Sequence, residues 1–164
     1  MRDYHKNVRL KDYDYSSSGG YFVTIVVAGR ECCLSRIDKG NAELTDFGQV
    51  VVRGWTWLAE QYSYVVLDEY VIMPNHFHAI LFVEDSQTEK GPRHTLGRLI
   101  AAFKTVTTRE INLFRKSPGR QFWQDNFHEH VIRNEHDLAG VREYIANNPL
   151  QWALDKENPQ CATA

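Results

Sequence analysis

Two strand-like runs stand with almost nothing between them, and that juncture limits the folds open to the chain. Tyr64 to Met73 and His76 to Val83 are rich in β-branched and aromatic residues, and only Pro74-Asn75 separates them. So short a connection leaves no room for a crossover helix, so the runs turn back on each other as a tight antiparallel hairpin. Tyr21 to Val27 and Phe127 to Arg133 also read as strands. Between them the apolar period changes. Phe47, Val51, Gly54, Trp55, Leu58 and Tyr62 recur at helical spacing behind a capping Thr45. Thr95 opens a longer helix to about Phe114, with Leu96, Leu99, Ile100, Phe103, Val106 and Phe114 on one face. Asn134 caps a last helix that turns Leu138, Val141 and Ile145 inward, and Pro149 ends it near Asn148. Arg30 to Gly40 reads as a loop or short irregular excursion, and residues 84–94 as a polar loop. The order β-α-β-β-α-β-α predicts an α+β fold: a ferredoxin-like sandwich, an antiparallel β-sheet with helices packed against it.

The 164 residues suit one domain, expected at 21–150 between a flexible N-terminal arm (1–20) and a C-terminal tail (151–164). No apolar run approaches the ~18–20 residues of a membrane span and the N-terminus is polar, so a cytoplasmic protein is expected. Cys32 and Cys33 are adjacent and Cys161 is remote, which supplies neither a CxxC pair nor a disulfide framework. The net charge of -2 hides an asymmetry: residues 90–120 carry eight basic side chains against one acid, Glu110. Charge alone fits a local phosphate-binding surface and a solvated helix face equally well. Arg98, Arg109, Arg115 and Lys116 line the polar side of the long helix, with Lys104 at the edge of the apolar stripe. Glu110 projects into the apolar arc, where a carboxylate needs a partner.

His76 and His78 are two apart on a predicted strand, so both imidazoles leave on the same face and Phe77 on the other. Their Cα atoms are then roughly 7 Å apart, close enough for both side chains to meet one metal. A position at a strand start, beside a tight turn, also favours access. His128-Glu129-His130 repeats the pattern fifty residues on, and spacing does not choose between the pairs. Tyr144 and Asn148 lie four apart on the last helix, so phenol and amide share a face; Asn oxygen suits a hard ion such as Mg2+ or Mn2+. Spacing is equally met by a Tyr144 that only packs.

Val71-Ile72-Met73-Pro74-Asn75-His76-Phe77-His78 resembles the metal motif of the HUH single-tyrosine transposases, in which U is a bulky hydrophobic residue. Arg142-Glu143-Tyr144-Ile145-Ala146-Asn147-Asn148-Pro149 resembles their nucleophile helix. More closely, the chain is similar to the REP-associated tyrosine transposases. Leu10-Lys11-Asp12-Tyr13-Asp14-Tyr15, Phe103-Lys104-Thr105, Thr108-Arg109-Glu110-Ile111-Asn112 and Trp152-Ala153-Leu154-Asp155 fit that family in the same order, over about residues 5–159.

The resemblance implies a metal-dependent single-strand DNA endonuclease and strand-transferase, with the HUH motif on a central strand and the nucleophile on the C-terminal helix. His76, His78 and Asn148, where relatives often carry Gln, hold Mg2+ or Mn2+. Tyr144 attacks the scissile phosphate, giving a 5′-phosphotyrosine and a free 3′-hydroxyl. The substrate is single-stranded or hairpin DNA from REP-like palindromes. Lys104 approaches the phosphate, Arg98, Arg109, Arg115 and Lys116 track the hairpin backbone, and Arg9 belongs to a basic arm with Arg2, Lys6 and Lys11. Relatives include homodimers and monomers, and the location is bacterial cytoplasm, associated with the nucleoid. His128 departs from the family pattern, and His130 matches it without being a family metal ligand. Two other readings stand beside this one: a domesticated hairpin-binding protein that no longer cuts, and a small-molecule metal hydrolase.

Overall fold

In the computed structural model, which describes residues 13–15, 18–85 and 94–159, the predicted hairpin is the centre of the sheet. Strands β4 (Val65–Ile72) and β5 (His76–Val83) pair antiparallel, and the Met73 N–H closes the turn by donating to the His76 carbonyl at 2.8 Å. Strand β1 (Gly19–Val26) adds to the other side of β5, and β6 (His128–Ile132) adds to β1, for a sheet order β4-β5-β1-β6. Hairpin strands thus sit side by side while β1 joins them to the late strand, which is the ferredoxin-like arrangement.

Parity along the strands sorts side chains onto two faces. Tyr21, Val23 and Ile25 of β1 and Phe77, Ala79 and Leu81 of β5 point into the larger core. There they meet α1 (Asp46–Gln61) and α2 (Leu96–Phe114), through Val51, Trp55, Leu58, Leu99, Ile100 and Phe103. The opposite face carries Phe22 and Ile80, which pack on Leu138, Val141 and Ile145 of α3 (Glu135–Asn147). His76 and His78 share the parity of Ile80, so they face α3.

The helix starts follow the expected caps. Thr45 accepts from Gly48 N–H at 3.2 Å, Thr95 from Arg98 N–H at 3.4 Å, and Asn134 from Asp137 N–H at 2.9 Å. Glu110 finds its partner across the helix pair, in Arg53 of α1. Two expectations need correction. Phe114 does not reach the core: it is 55% exposed, because the last turn of α2 stands clear of the packed elements, and Ile111 and Thr107 complete the buried stripe instead. Residues 30–40 are not merely a loop, since Ser35–Asp38 (β2) and Asn41–Leu44 (β3) form a second hairpin. Its turn is made by Lys39 and Gly40, both at positive φ (47° and 77°), a local geometry that Gly tolerates freely and Lys does not. Tyr13 and Tyr15 pack on Tyr21 rather than extending away, with ring centroids 6.4 and 6.1 Å from it. Arg2, Lys6, Arg9 and Lys11 lie outside the described residues.

The two core helices approach closely at Gly54, where an added Cβ would stand 2.3 Å from Thr107 Cγ2. The Thr107 hydroxyl cannot swing away freely, since it donates to the Phe103 carbonyl (2.8 Å) and accepts from Trp123 Nε1 (2.9 Å). Gly54→Ala is therefore expected to destabilise the protein by about 1–3 kcal/mol despite alanine's better helix propensity. In urea unfolding, Thr107→Ser in the same chain should restore much of that loss by removing the obstructing methyl.

Candidate metal and nucleophile site

Asn75 is the fully buried residue of the β4–β5 turn, and its side chain settles the protonation of its neighbour. Its Nδ2 donates to the carbonyls of Arg30 (3.1 Å) and Glu157 (2.6 Å), so Oδ1 is the atom that faces His76 Nδ1 at 2.9 Å. An amide oxygen only accepts, so His76 carries a proton on Nδ1 and turns Nε2 outward. The turn itself is fixed by its backbone: Val27 N–H donates to Asn75 O, and Cys33 and Leu34 N–H both donate to Pro74 O, each at 2.9 Å.

His78 is held in the same manner from the neighbouring strand. Register places it opposite Thr24 of β1, and its Nδ1 lies 2.7 Å from Thr24 Oγ1. The two Nε2 atoms converge to 3.0 Å. Two ligands bound at about 2.1 Å and subtending a right angle at an octahedral ion are about 3.0 Å apart, so the pair already has metal-ligand spacing. Both rings also have an outer partner on Nδ1, the arrangement that orients metal-binding histidines. The strand start does not provide open access: β5 is an interior strand, and both histidines are fully buried.

Helix α3 brings up Tyr144 and Asn148. The Tyr144 ring meets His78 edge-on, with centroids 5.4 Å apart, and meets Phe22 at 5.9 Å. Asn148 caps the helix with helical dihedrals (φ -58°, ψ -44°), so it lies on the same helix face as Tyr144. Its Oδ1 is buried and has no hydrogen-bond partner. A buried amide oxygen without a donor is costly, and a cation satisfies it. Among the described residues no three His, Cys, Asp or Glu side chains form a ready metal cluster, so the histidine pair needs an oxygen of this kind. The donor set of two imidazoles and an amide oxygen thus fits a divalent ion.

Two anchors set the position of α3. A bulge between Leu67 and Tyr70 in β4 falls at Asp68, whose carboxylate takes a bidentate pair of bonds from Arg142, Nε–Oδ1 at 2.9 Å and Nη2–Oδ2 at 2.5 Å. At the helix start, Asp137 Oδ2 lies 2.9 Å from His130 Nε2 and accepts from Arg133 N–H at 3.2 Å. His130 is thereby committed to the fold. His128 lies in the same cross-strand row as His78, with Thr24 between them.

Sequence reasoning missed the segment after α3. Pro149–Leu154 forms a 3-10 helix that returns over the histidines. Trp152 comes within 6.0 Å of the His76 ring, and Asp155 Oδ2 within 3.8 Å of His76 Nε2. Burial pushes the Asp155 carboxyl above its ordinary value, with the hydrogen bond from Glu157 N–H opposing. Asn75 and Thr24 were missed as well. Asn75 was legible only as a turn residue, and Thr24 needed the β1–β5 register.

The basic residues divide. Lys104 gives its three protons to the carbonyls of Gln124 (2.7 Å), Asp125 (3.3 Å) and Asn126 (2.9 Å), and burial lowers its pKa to about 8. It secures the loop before β6 and has no donor left for a phosphate, which corrects the role inferred from helical phase. Arg115 likewise donates to Asn112 Oδ1 (2.7 Å) and to the carbonyls of Arg120 (3.0 Å) and Gln121 (3.2 Å), fixing the loop after α2. Arg98, Arg109 and Lys116 are exposed. Arg109 and Lys116 line an open cavity of about 710 Å³ with Asn112, Leu113 and Pro118. Cys33 is pushed up to about 12 by burial, with Glu31 adding to the effect, so its thiol stays protonated.

No protein-family model matches the sequence. An uncharacterised protein of Haemophilus influenzae is 32% identical over 168 residues, covering 93% of this chain and 92% of its own length. A second H. influenzae protein, provisionally named a REP-associated tyrosine transposase, is 27% identical over 84% of this chain and 74% of its own. Among solved structures, a REP-associated tyrosine transposase bound to a REP hairpin superposes with a TM-score of 0.66 at 21% identity, covering 91% of this chain and 76% of that one. A provisionally named transposase of Deinococcus radiodurans superposes at 0.52 with 19% identity, over 84% and 96%. Among the described residues no helix is long and apolar enough to cross a membrane.

The Arg142 hydrogen bonds hold Asp68 below the usual carboxylate range. A lowered folded pKa means the unfolded chain binds the proton first, so this stabilisation is complete above the unfolded pKa and disappears as pH falls through the folded one. Asp68→Asn should therefore be less stable than wild type in chemical denaturation at pH 7. The difference should shrink steadily below about pH 4.

Proposed function

We propose that the chain is a REP-associated tyrosine transposase, a metal-dependent single-strand DNA endonuclease and strand-transferase acting on REP-type hairpins. The convergence of His76 Nε2 and His78 Nε2 to 3.0 Å beside Tyr144 carries the proposal. His76, His78 and Asn148 would hold the ion, Mg2+ or Mn2+. Once bound, the ion supplies charge stabilisation at a non-bridging oxygen of the scissile phosphate.

The protein's own residues do the rest. A phenol of pKa near 10 is a weak nucleophile at neutral pH, so placement matters more than basicity. Phe22 and His78, stacked on each other, both meet the Tyr144 ring edge-on, and the Arg142–Asp68 pair holds the helix that carries it. Tyr144 Oη attacks phosphorus: the O–P bond to tyrosine forms, the bond from phosphorus to the 3′-oxygen breaks, and the phenol's proton is exchanged through solvent for one on the departing oxygen. The 5′-phosphotyrosine retains the phosphodiester energy, so a 3′-hydroxyl can attack it and release the phenol without ATP. Contact between Tyr144 and His78 of one chain supports action in cis, without a second subunit. Arg98, Arg109 and Lys116, solvated and on or beside one helix, are the cations available to the hairpin backbone. The bacterial relatives and the DNA substrate favour a cytoplasmic, nucleoid-associated site of action.

Tyr144→Phe should abolish the covalent protein–DNA adduct on a REP hairpin with single-stranded flanks in Mn2+ or Mg2+, with hairpin affinity retained. Adduct formation by that variant would overturn the nucleophile assignment. Absence of cleavage by wild type with every cognate hairpin and either metal would favour the hairpin-binding reading. Replacing Arg98, Arg109 and Lys116 together by Ala should flatten the dependence of log affinity on log salt by about 2–3. Lys104→Met should leave that slope unchanged while lowering stability by about 1–3 kcal/mol through three unsatisfied carbonyls.

A further inference from the structure

We infer that the cavity beside Trp152 seats an unpaired nucleobase from the single-stranded DNA next to the scissile phosphate, with the base stacked on the indole; this rests on reading the chain as a transposase of hairpin DNA. The cavity measures about 490 Å³, and its walls come from three segments. Strand β2 supplies Arg36 and Ile37, the β4–β5 turn supplies Pro74, and the chain after α3 supplies Trp152 and Pro159. The volume lies in the usual range of small-molecule sites, with room for a nucleotide. Four rings run in series from the nucleophile to this cavity. Tyr144, His78, His76 and Trp152 follow one another with centroids 5.4, 4.5 and 6.0 Å apart. A strand whose phosphate lies at Tyr144 and the histidines therefore carries its neighbouring nucleotides within reach of Trp152. Arg36 is exposed at the same cavity, a cation for the phosphate joined to that base.

The polar side chains of the cavity are already committed to the backbone. Ser35 Oγ donates to the Ile72 carbonyl at 2.8 Å, Thr45 Oγ1 to the Cys33 carbonyl at 2.6 Å, and Asn158 Nδ2 to the Trp152 carbonyl at 3.0 Å. The base is therefore held by stacking on the indole and by apolar contact with Ile37, Pro74 and Pro159, more than by a hydrogen-bond code. Purines, with the larger stacking face, are favoured over pyrimidines, and adenine and guanine are told apart only weakly. The walls are also braced against each other. An added Cβ on Gly40, at the tip of the β2–β3 hairpin, would collide with Leu150 Cδ2, so the tip abuts the 3-10 helix that carries Trp152. The Trp152 carbonyl accepts from Asp155 N–H at 3.1 Å as well as from Asn158. An indole fixed in this way is preorganised, and less order has to be imposed when the strand arrives. The same contact gives the β2–β3 hairpin a part in the reaction, as one wall of a base site.

The test uses the full chain with Tyr144→Phe in Mg2+, so that the strand stays intact, and a REP hairpin whose single-stranded flanks carry 2-aminopurine at one position at a time. One position beside the cleavage site should lose most of its fluorescence on binding, because stacking on an indole quenches it. An abasic residue at that position should weaken binding about tenfold. In a chain that also carries Trp152→Ala the abasic residue should cost nothing further, and with Trp152→Phe it should cost less than with tryptophan. The hairpin stripped of its flanks should bind with and without Trp152→Ala alike, which separates a lost contact from a lost fold; where Trp152→Ala does not fold, Trp152→Phe decides. If no flank position is quenched, or the abasic penalty persists undiminished in the Trp152 variants, the inference fails alone. If the hairpin does not bind the chain with or without flanks, the transposase reading fails and takes the inference with it.

Discussion

The side-chain amide of Asn75 has two donor protons and one acceptor oxygen, and the site depends on how these are shared out. Both protons go to backbone carbonyls from distant parts of the chain, Arg30 ahead of β2 and Glu157 near the end. The oxygen is then obliged to face His76, and the imidazole must answer with its Nδ1 proton. A fold-level constraint, the joining of two remote segments at a turn, becomes a statement about which ring nitrogen can bind an electrophile. No second amide orientation satisfies both carbonyls, so the tautomer of His76 is as firmly determined as the turn itself.

Strand β1 plays the corresponding part for the second histidine. It lies between β5 and β6, with odd-numbered residues in the large core and even-numbered ones toward α3. Thr24 falls on the even side, opposite both His78 and His128. Among the even-numbered positions of β1 its hydroxyl stands between Phe22 and Val26, where it meets the His78 ring nitrogen. Phe22, one step along, meets both His78 and Tyr144, so a packing residue spaces the Tyr144 ring from the histidine pair.

Much of this was legible in the sequence, for physical reasons that also mark the limits. The Pro74-Asn75 turn, the three caps and the placing of His76, His78, Tyr144 and Asn148 on common faces are local properties, fixed by periods of two and 3.6. The β2–β3 hairpin was not legible, because each strand is only four residues long and the alternation of Ile37, Ala42 and Leu44 with exposed polar residues is too short to stand out. Phase placed Lys104 correctly at the edge of α2, but its three acceptors belong to a loop twenty residues on, which no period reveals. Arg115 likewise ties down a loop that lies beyond the helix. Asp155 illustrates the limit most clearly: its motif was visible, yet its place beside His76 depends on a turn that doubles back over the sheet.

Pro149 sits where α3 gives way to that turn, and it acts as a length standard. Tyr144 and Asn148 share a face because four residues separate them on one helix, and Trp152 and Asp155 return toward His76 because the helix ends at once. One inserted residue before Asn148 would rotate its side chain by about 100° away from the tyrosine and carry the turn with it. One deletion would do the reverse. The segment from Tyr144 to Asp155 therefore admits substitution more readily than any change in length, and insertions compatible with the site must fall elsewhere along the chain.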